Sequence, residues 1–395
     1  MTDIIKKETE KGNYTGVILL DLQKAFDTVN HQILCQKLTA IGLNPSAVKW
    51  FESYLNDRMQ SVAINGTVSD LKYVSCGVPQ GSILGPTLFQ IYVNDMSMAV
   101  DCSLLLYADD SILLTSGKSV EQIETVLSKN MDSVSNWLID NRLSLHLGKT
   151  ESILFGPIRK LKETSLTIMC KGNQIEQKDH VNYLGLRLDN TLSGDNIAKD
   201  VIAKCNNRLK FLYRNGHSLN IHTKKLLCSA LIQCHYDYAC SSWYSSVSQT
   251  YKKKLQTHQN KMVRFILDKN SRSHIGCHEF GRLKWLNVEK RVIQLKLNNM
   301  HKITYDKAPA YLKEDFTKLM RNNSYVGRHN QMTYTVPLMR KGAGRSTFTY
   351  TGINEWNGLP LHLKQIKNFS IFKNTVKQHL MNKMSSEEND SFIYY

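Results

Sequence analysis

Hydrophobic residues in the first half of the chain alternate between short unbroken runs and helical spacing. Val17 to Leu20 form an apolar run that ends on Asp21, the pattern of a buried strand with a carboxylate at its end. A helix starts near Asn30, with Ile33, Leu34, Leu38 and Ile41 on one face and Gly42 at its stop. Asn44-Pro45 opens another through Val48, Phe51 and Leu55. The stretch MQSVAINGTVSDLKYVSCG predicts a hairpin turning at Asn65-Gly66, and GVPQGSILGP leads into an apolar helix through Leu88, Phe89, Ile91, Tyr92 and Val93. LLLYADDSILL, residues 104 to 114, predicts a second hairpin around its two adjacent acids. Ser119 with Gln122 reads as a capping box for a long helix carrying Val120, Ile123, Leu127, Met131, Val134 and Leu138. Strands follow at about 151 to 155 and 181 to 188.

From Asp195 the rhythm becomes helical, over Ile197 to Leu212, Lys224 to Tyr238 and Tyr251 to Leu267. The expected architecture is α+β: an antiparallel sheet with helices on one face, then a helical domain and a mixed C-terminal segment. The divisions are a polar tail at 1–15, the sheet domain at 16–192, helices at 193–270, a basic segment at 271–383 and a disordered tail at 384–395.

Charge follows the same division. Residues 1 to 195 carry 18 basic and 22 acidic side chains, whereas 196 to 300 carry 19 and 5, and 301 to 395 carry 14 and 7. The excess of +17 therefore sits in the second half, which implies a polyanion along it, with a solvated basic surface as the alternative. Nine scattered cysteines without a C-x-x-C pair indicate neither a disulfide framework nor a zinc module. His274, Cys277 and His278 lack a second ligand pair and read as incidental. No run reaches the apolar length of a membrane span and the opening residues are not a signal peptide, so an intracellular protein, nuclear or cytoplasmic, with no membrane partner is expected.

The paired acids Asp109 and Asp110 stand in an apolar run whose nearest basic residue is Lys118. Two charges about 4 Å apart repel by roughly 4 kcal/mol at an effective dielectric of about 20. A bound cation, or a basic group brought in by the fold, must compensate them. Asp21, at another strand end, could join them, and three convergent carboxylates suit a pair of divalent ions.

Four segments taken in order extend this reading: LLDLQKAFDTVNH at 19 to 31, GVPQGSILGPTLFQIYVND at 77 to 95, YADD at 107 to 110 and NYLGLRLD at 182 to 189. Their order and spacing resemble the palm of the reverse transcriptases of non-LTR (LINE-type) retrotransposons, nearest the jockey-like branch. LKWLNVEKR at 283 to 291 and INEWNGLPLHLK at 353 to 364 are similar to the closing segments of such elements. The resemblance implies a right-hand polymerase palm, a helical thumb at 193–270 and RNA-directed DNA polymerase activity. Its partners would be an RNA template, a DNA primer and deoxynucleoside triphosphates.

The resemblance also implies roles for single residues. Asp21 and Asp109 would ligate two Mg2+ ions, or Mn2+ in their place, with Asp110 assisting. Phe26 falls where this family keeps an aromatic gate against the ribose 2′-hydroxyl, though alone it would read as core. Gln80 and Gly81 match the loop that holds the incoming nucleotide and template, glycine permitting close backbone approach. Lys149 resembles the lysine that protonates the leaving pyrophosphate, with a solvated role as the alternative. Tyr183 resembles part of the primer-side grip. On the thumb, Lys252, Lys253, Lys254, Lys261 and Arg264 are the candidates for phosphate contact. Only twenty residues precede Asp21 and no endonuclease segment is recognisable, so a copy truncated ahead of its palm is expected, lacking fingers and endonuclease. Two functions follow: a polymerase core, or a catalytically silent nucleic-acid-binding remnant of one.

Overall fold

The computed structural model describes residues 1–162, 164–320 and 332–392. The chain divides into two compact units, one of Gly12–Gly185 and one of Met1–Lys11 with Leu186–Tyr395.

The first unit is built on a six-stranded sheet. Its strands are β1 (Tyr14–Leu20), β2 (Ser103–Tyr107), β3 (Asp110–Gly117), β4 (Glu151–Phe155), β5 (Ile168–Cys170) and β6 (Asn173–Gln177), in the spatial order β2-β3-β1-β4-β6-β5. β1 is central, antiparallel to β3 from Tyr14↔Gly117 to Leu20↔Ser111 and to β4 from Thr15↔Phe155 to Leu19↔Glu151. Side chains on both faces of β1 are buried along most of its length, which is why its sequence is a run rather than an alternation. The sheet is not wholly antiparallel as expected, because β4 and β6 pair in parallel. The strands β5 and β6 were not anticipated; they are short, Met169 stays exposed between buried Ile168 and Cys170, and Ile175 is the one buried residue of β6.

Helices α1 (His31–Ala40), α2 (Pro45–Leu55), α3 (Gly85–Val93) and α4 (Val120–Asp140) complete this unit. The Asn30 and Asn44 side chains cap α1 and α2, accepting from the Ile33 and Ala47 backbone N–H groups at 3.0 and 2.8 Å. Ile41, assigned to the inner face of α1, lies past its end and is 57% exposed, while Leu34, Cys35 and Leu38 are buried. α4 crosses the sheet so closely that a Cβ on Gly16 would sit 2.4 Å from Ile123 and 2.8 Å from Leu127. Ile18 and Leu20 of β1, Phe89 and Tyr92 of α3, and Leu127 and Met131 of α4 share one core. The hairpin at Asn65-Gly66 forms with both residues at positive φ, 49° and 84°, and its strands are exposed.

The second unit is helical, with α5 (Asp195–Asn215), α6 (Gln249–Ile266), α7 (Val288–Thr304), α8 (Phe348–Asn357) and α9 (Phe369–Phe392) as its longer members. Its core gathers Leu297 and Met300 of α7, Ile353 and Trp356 of α8, and Phe372 and Val376 of α9. The helix expected over Lys224 to Tyr238 is instead Ile221–Cys228, a π-helical turn at Ser229–Gln233, and a last turn at Cys234–Asp237.

Three expected boundaries shift. The division falls at Gly185/Leu186, between two short strands, His180–Tyr183 and Leu186–Asp189, that replace the single strand expected at 181 to 188. The polar tail at 1–15 is instead a helix, Thr2–Lys11, followed by the start of β1. That helix belongs to the second unit: Asp3 accepts from the Phe348 and Thr349 backbone N–H groups at 2.8 Å, and Glu10 accepts from those of Arg340, Lys341 and Gly344. The disordered tail placed at 384–395 is α9 through Phe392; residues 393–395, like 321–331 of the C-terminal segment, lie outside the described residues.

Candidate active site

Asp21 follows the last residue of β1, where Leu20 pairs with Ser111, and so lies close to Asp110, the first residue of β3. β2 and β3 join through Ala108 and Asp109, with Tyr107 opposite Asp110 and Ala108 at φ 52°. The geometry therefore brings all three acids to one end of the central strands. The Asp110 carboxyl is held above its ordinary value by desolvation first, then by the negative charges of Asp109 and Asp21.

The turn after α4 brings a cation to the same end. The His146 backbone N–H donates to the Asp21 carbonyl at 2.8 Å, and Thr150 Oγ1 accepts from the Asp21 N–H at 3.4 Å. Between them, Lys149 Nζ lies 4.0 Å from Asp21 Oδ2, both side chains partly exposed. Such a pair contributes under about 1 kcal/mol. One partly hydrated ammonium against three carboxylates leaves net negative charge at the strand ends. Hard oxygen donors with uncompensated charge suit a divalent cation. Among the described residues, no three His, Cys, Asp or Glu side chains are drawn together closely enough to hold a metal.

Phe26, Gln80 and Gly81 are tied into one local structure beside β1. The Phe26 ring stacks on Phe89 of α3 with centroids 4.4 Å apart, and the Phe26 carbonyl accepts from the Val78 N–H at 2.8 Å. The Gly77 N–H donates to the Val29 carbonyl at 2.7 Å, and His31 Nε2 lies 2.8 Å from the Gly77 carbonyl oxygen. Gly77 has φ 90°, and a Cβ there would sit 2.7 Å from the Asp27 carbonyl oxygen. Gln80 Nε2 donates to Asp27 Oδ1 at 2.7 Å, and Gly81 at φ 79° has open space where a side chain would project. Sequence reasoning missed Asp27 and His31 as the groups that hold this loop; their signal was the acid and imidazole within DLQKAFDTVNH.

Tyr183 lies in the first unit, half-buried at the end of its short strand. The basic candidates all lie on α6 in the second unit. Lys253 and Lys261 are exposed, and Lys254 lies 4.6 Å from the centroid of the Tyr251 ring. Lys252 lies 5.3 Å from the centroid of the buried Tyr244 ring. Arg264 is turned inward, donating from Nε to the Ser273 carbonyl at 2.8 Å, so its geometry is that of a loop anchor.

Residues 1–188 match the family model described as reverse transcriptase (RNA-dependent DNA polymerase). This part of the chain belongs to the reverse transcriptase family. Among curated relatives, the RNA-directed DNA polymerase from mobile element jockey of Drosophila funebris is 28% identical over 269 residues, covering 65% of this chain and 29% of the relative. The probable RNA-directed DNA polymerase from transposon BS of Drosophila melanogaster is 26% identical over 279 residues, covering 68% and 30%. The chain thus spans less than a third of the length of these relatives. A solved telomerase from Candida tropicalis with a fragment of telomeric RNA covers 79% of this chain and 50% of its own, at 14% identity and a TM-score of 0.35, too distant to bear on the site.

This domain is similar to those of jockey-like, non-LTR elements, and its sheet with helices is consistent with a right-hand polymerase fold. Reverse transcriptases generally use divalent metals. No helix among the described residues is long and apolar enough to cross a membrane.

Proposed function

We propose that this chain works as the core of an RNA-directed DNA polymerase, extending a DNA primer on an RNA template with deoxynucleoside triphosphates, inside the cell. The observation that carries the reading is the pairing of Leu20 with Ser111, which brings the next residue, Asp21, close to Asp110 and the turn holding Asp109. In this reading Asp21, Asp109 and Asp110 are the residues that would hold two Mg2+ ions, or Mn2+. Bound there, the ions would activate the primer hydroxyl and stabilise the leaving pyrophosphate.

The chain's own residues supply the remainder. Phe26, fixed by its stack on Phe89, closes the space a ribose 2′-hydroxyl would need, so deoxynucleotides are selected. Gln80, steadied by Asp27, and the bare backbone at Gly81 support the incoming nucleotide against the template. Lys149 donates the proton the leaving pyrophosphate takes up. Tyr183 steadies the primer end. The second unit acts as the thumb, with Lys252, Lys253, Lys254 and Lys261 meeting duplex phosphates.

Primer extension on an RNA template with Mg2+ tests this, comparing the chain with its Asp109→Ala and Asp21→Asn variants. Incorporation should fall at least a hundredfold in each, a loss of about 3 kcal/mol or more of transition-state stabilisation. Equal incorporation by all three overturns the reading, and duplex binding without incorporation by any of them favours the silent remnant.

A further inference from the structure

Within the second unit, the π-helical turn at Ser229–Gln233 borders a cavity of about 240 Å3 that has no place in the polymerase reading. Its walls include Ser229, Gln233, Asp237, Trp285, Arg291 and Lys377. A π turn inserts one extra residue into a helix and so displaces a side chain from the regular face. Gln233 sits at the end of that insertion. Its Nε2 donates to Asp237 Oδ1 at 3.0 Å, whereas its Oε1 is buried without any hydrogen-bond partner. A buried acceptor left empty is unfavourable, so the site wants a donor.

The cations are unevenly satisfied. Arg291 grips Asp237 through Nε and Nη2 at 3.1 and 2.6 Å and gives Nη1 to Gln294 at 2.7 Å. Lys377 has no carboxylate partner among the described residues. Its ammonium is pulled below the ordinary lysine value by burial, then by the fields of Arg291, Lys225, Lys373 and Lys284. Lys377 is half-buried on a wall it shares with Asp237, whose carboxylate is already taken up by Arg291, so its own ammonium can receive an anion. Trp285, half-buried, adds a flat apolar wall.

An anion, a hydroxyl donor and a planar ring occur together in one ribonucleotide unit. A deoxynucleotide linkage supplies the phosphate and the base but no 2′-hydroxyl to fill the Gln233 acceptor. We propose that this cavity is a binding site for one nucleotide of single-stranded RNA, with the phosphate at Lys377, the ribose 2′-hydroxyl donating to Gln233 Oε1 and the base against Trp285. The site uses none of the residues assigned to polymerisation, so it stands or falls separately from that function.

The test is fluorescence anisotropy of the full chain with the single-stranded octamers rU8 and dU8, which differ only at the sugar. The chain should bind rU8 about tenfold more tightly than dU8. Gln233→Leu should bring the two affinities together by weakening rU8 alone. Lys377→Met should weaken both about tenfold and lower the slope of log affinity against log salt by about one. Circular dichroism melting should report the fold of each variant. A sugar preference that survives Gln233→Leu overturns the site, as does Lys377→Met with unchanged affinity and slope.

Discussion

Replacing Gly77 with alanine should dismantle the loop that carries Gln80 and Gly81 while leaving the carboxylates alone. Gly77 adopts φ 90°, where a Cβ costs about 1–2 kcal/mol through contact with the neighbouring carbonyl. The added methyl would also lie 2.7 Å from the Asp27 carbonyl oxygen and 2.9 Å from the Asp27 Cα and carbonyl carbon. Those are backbone atoms and cannot swing aside as a side-chain tip could, so overpacking adds about 1–3 kcal/mol. The expected destabilisation is about 2–5 kcal/mol. Relief would come from moving residues 76 to 80 away from Asp27, which breaks the Val78–Phe26 and Gln80–Asp27 bonds together. Urea denaturation followed by tryptophan fluorescence reads the stability change from the midpoint and slope. Gly81→Ala is the matched control: it shares the positive φ of 79° but meets open space, so only the backbone cost of about 1–2 kcal/mol should remain. Equal losses for the two variants, or a Gly77→Ala loss under about 0.5 kcal/mol, would refute the close-approach argument.

Asp27→Ala should free Gln80 and raise the KM for deoxynucleotides about fivefold with kcat little changed, the loss of about 1 kcal/mol of positioning; a fall in kcat alone would argue against it. Asp3→Ala removes the acceptor of two N–H groups at the start of α8 and should cost about 1–3 kcal/mol in thermal or urea unfolding, an unaltered midpoint being the contrary result. Stability should also peak near pH 9. Lys6 and Lys296 are lowered by burial to about 8, so the unfolded chain holds more protons from pH 8 to about 10.5 and stability rises with pH there. Cys205, Cys228 and Cys240 are pushed up by burial to about 12, so their contribution is complete below about pH 9 and is lost as pH rises towards 12. Urea midpoints between pH 7.5 and 10.5 check the shape, and a steady fall from pH 7.5 to 9 would count against the two lysines.

Much of the first unit was legible because its signals are local. The run Val17 to Leu20 is central and covered on both pairing edges, and the two asparagine caps announce their helices within three residues. Asp21, Asp109 and Asp110 could be named from strand ends and a turn, but their register could not, since it depends on pairing across ninety residues. What escaped was non-local. The parallel pairing of β4 with β6 rests on only two residue pairs, and neither strand has an alternation long enough to read. The helix Thr2–Lys11 looks polar because its charges serve distant backbone: Lys6, nearly fully buried, donates to the Ser242 and Ser346 carbonyls. Arg264 and Lys253 are alike in sequence, and only the fold distinguishes a loop anchor from an exposed cation. The π turn at Ser229–Gln233 has no compositional mark at all.

Because the opening helix caps backbone near residue 348, the body it completes is discontinuous in the chain. During synthesis that helix must wait, with Lys6 and Asp3 hydrated, until more than three hundred later residues have left the ribosome. The sheet unit between Gly12 and Gly185, by contrast, has all six strands of its main sheet as soon as residue 177 emerges. Vectorial folding therefore has a fixed order in this molecule, and a bulky N-terminal fusion would burden the late step alone.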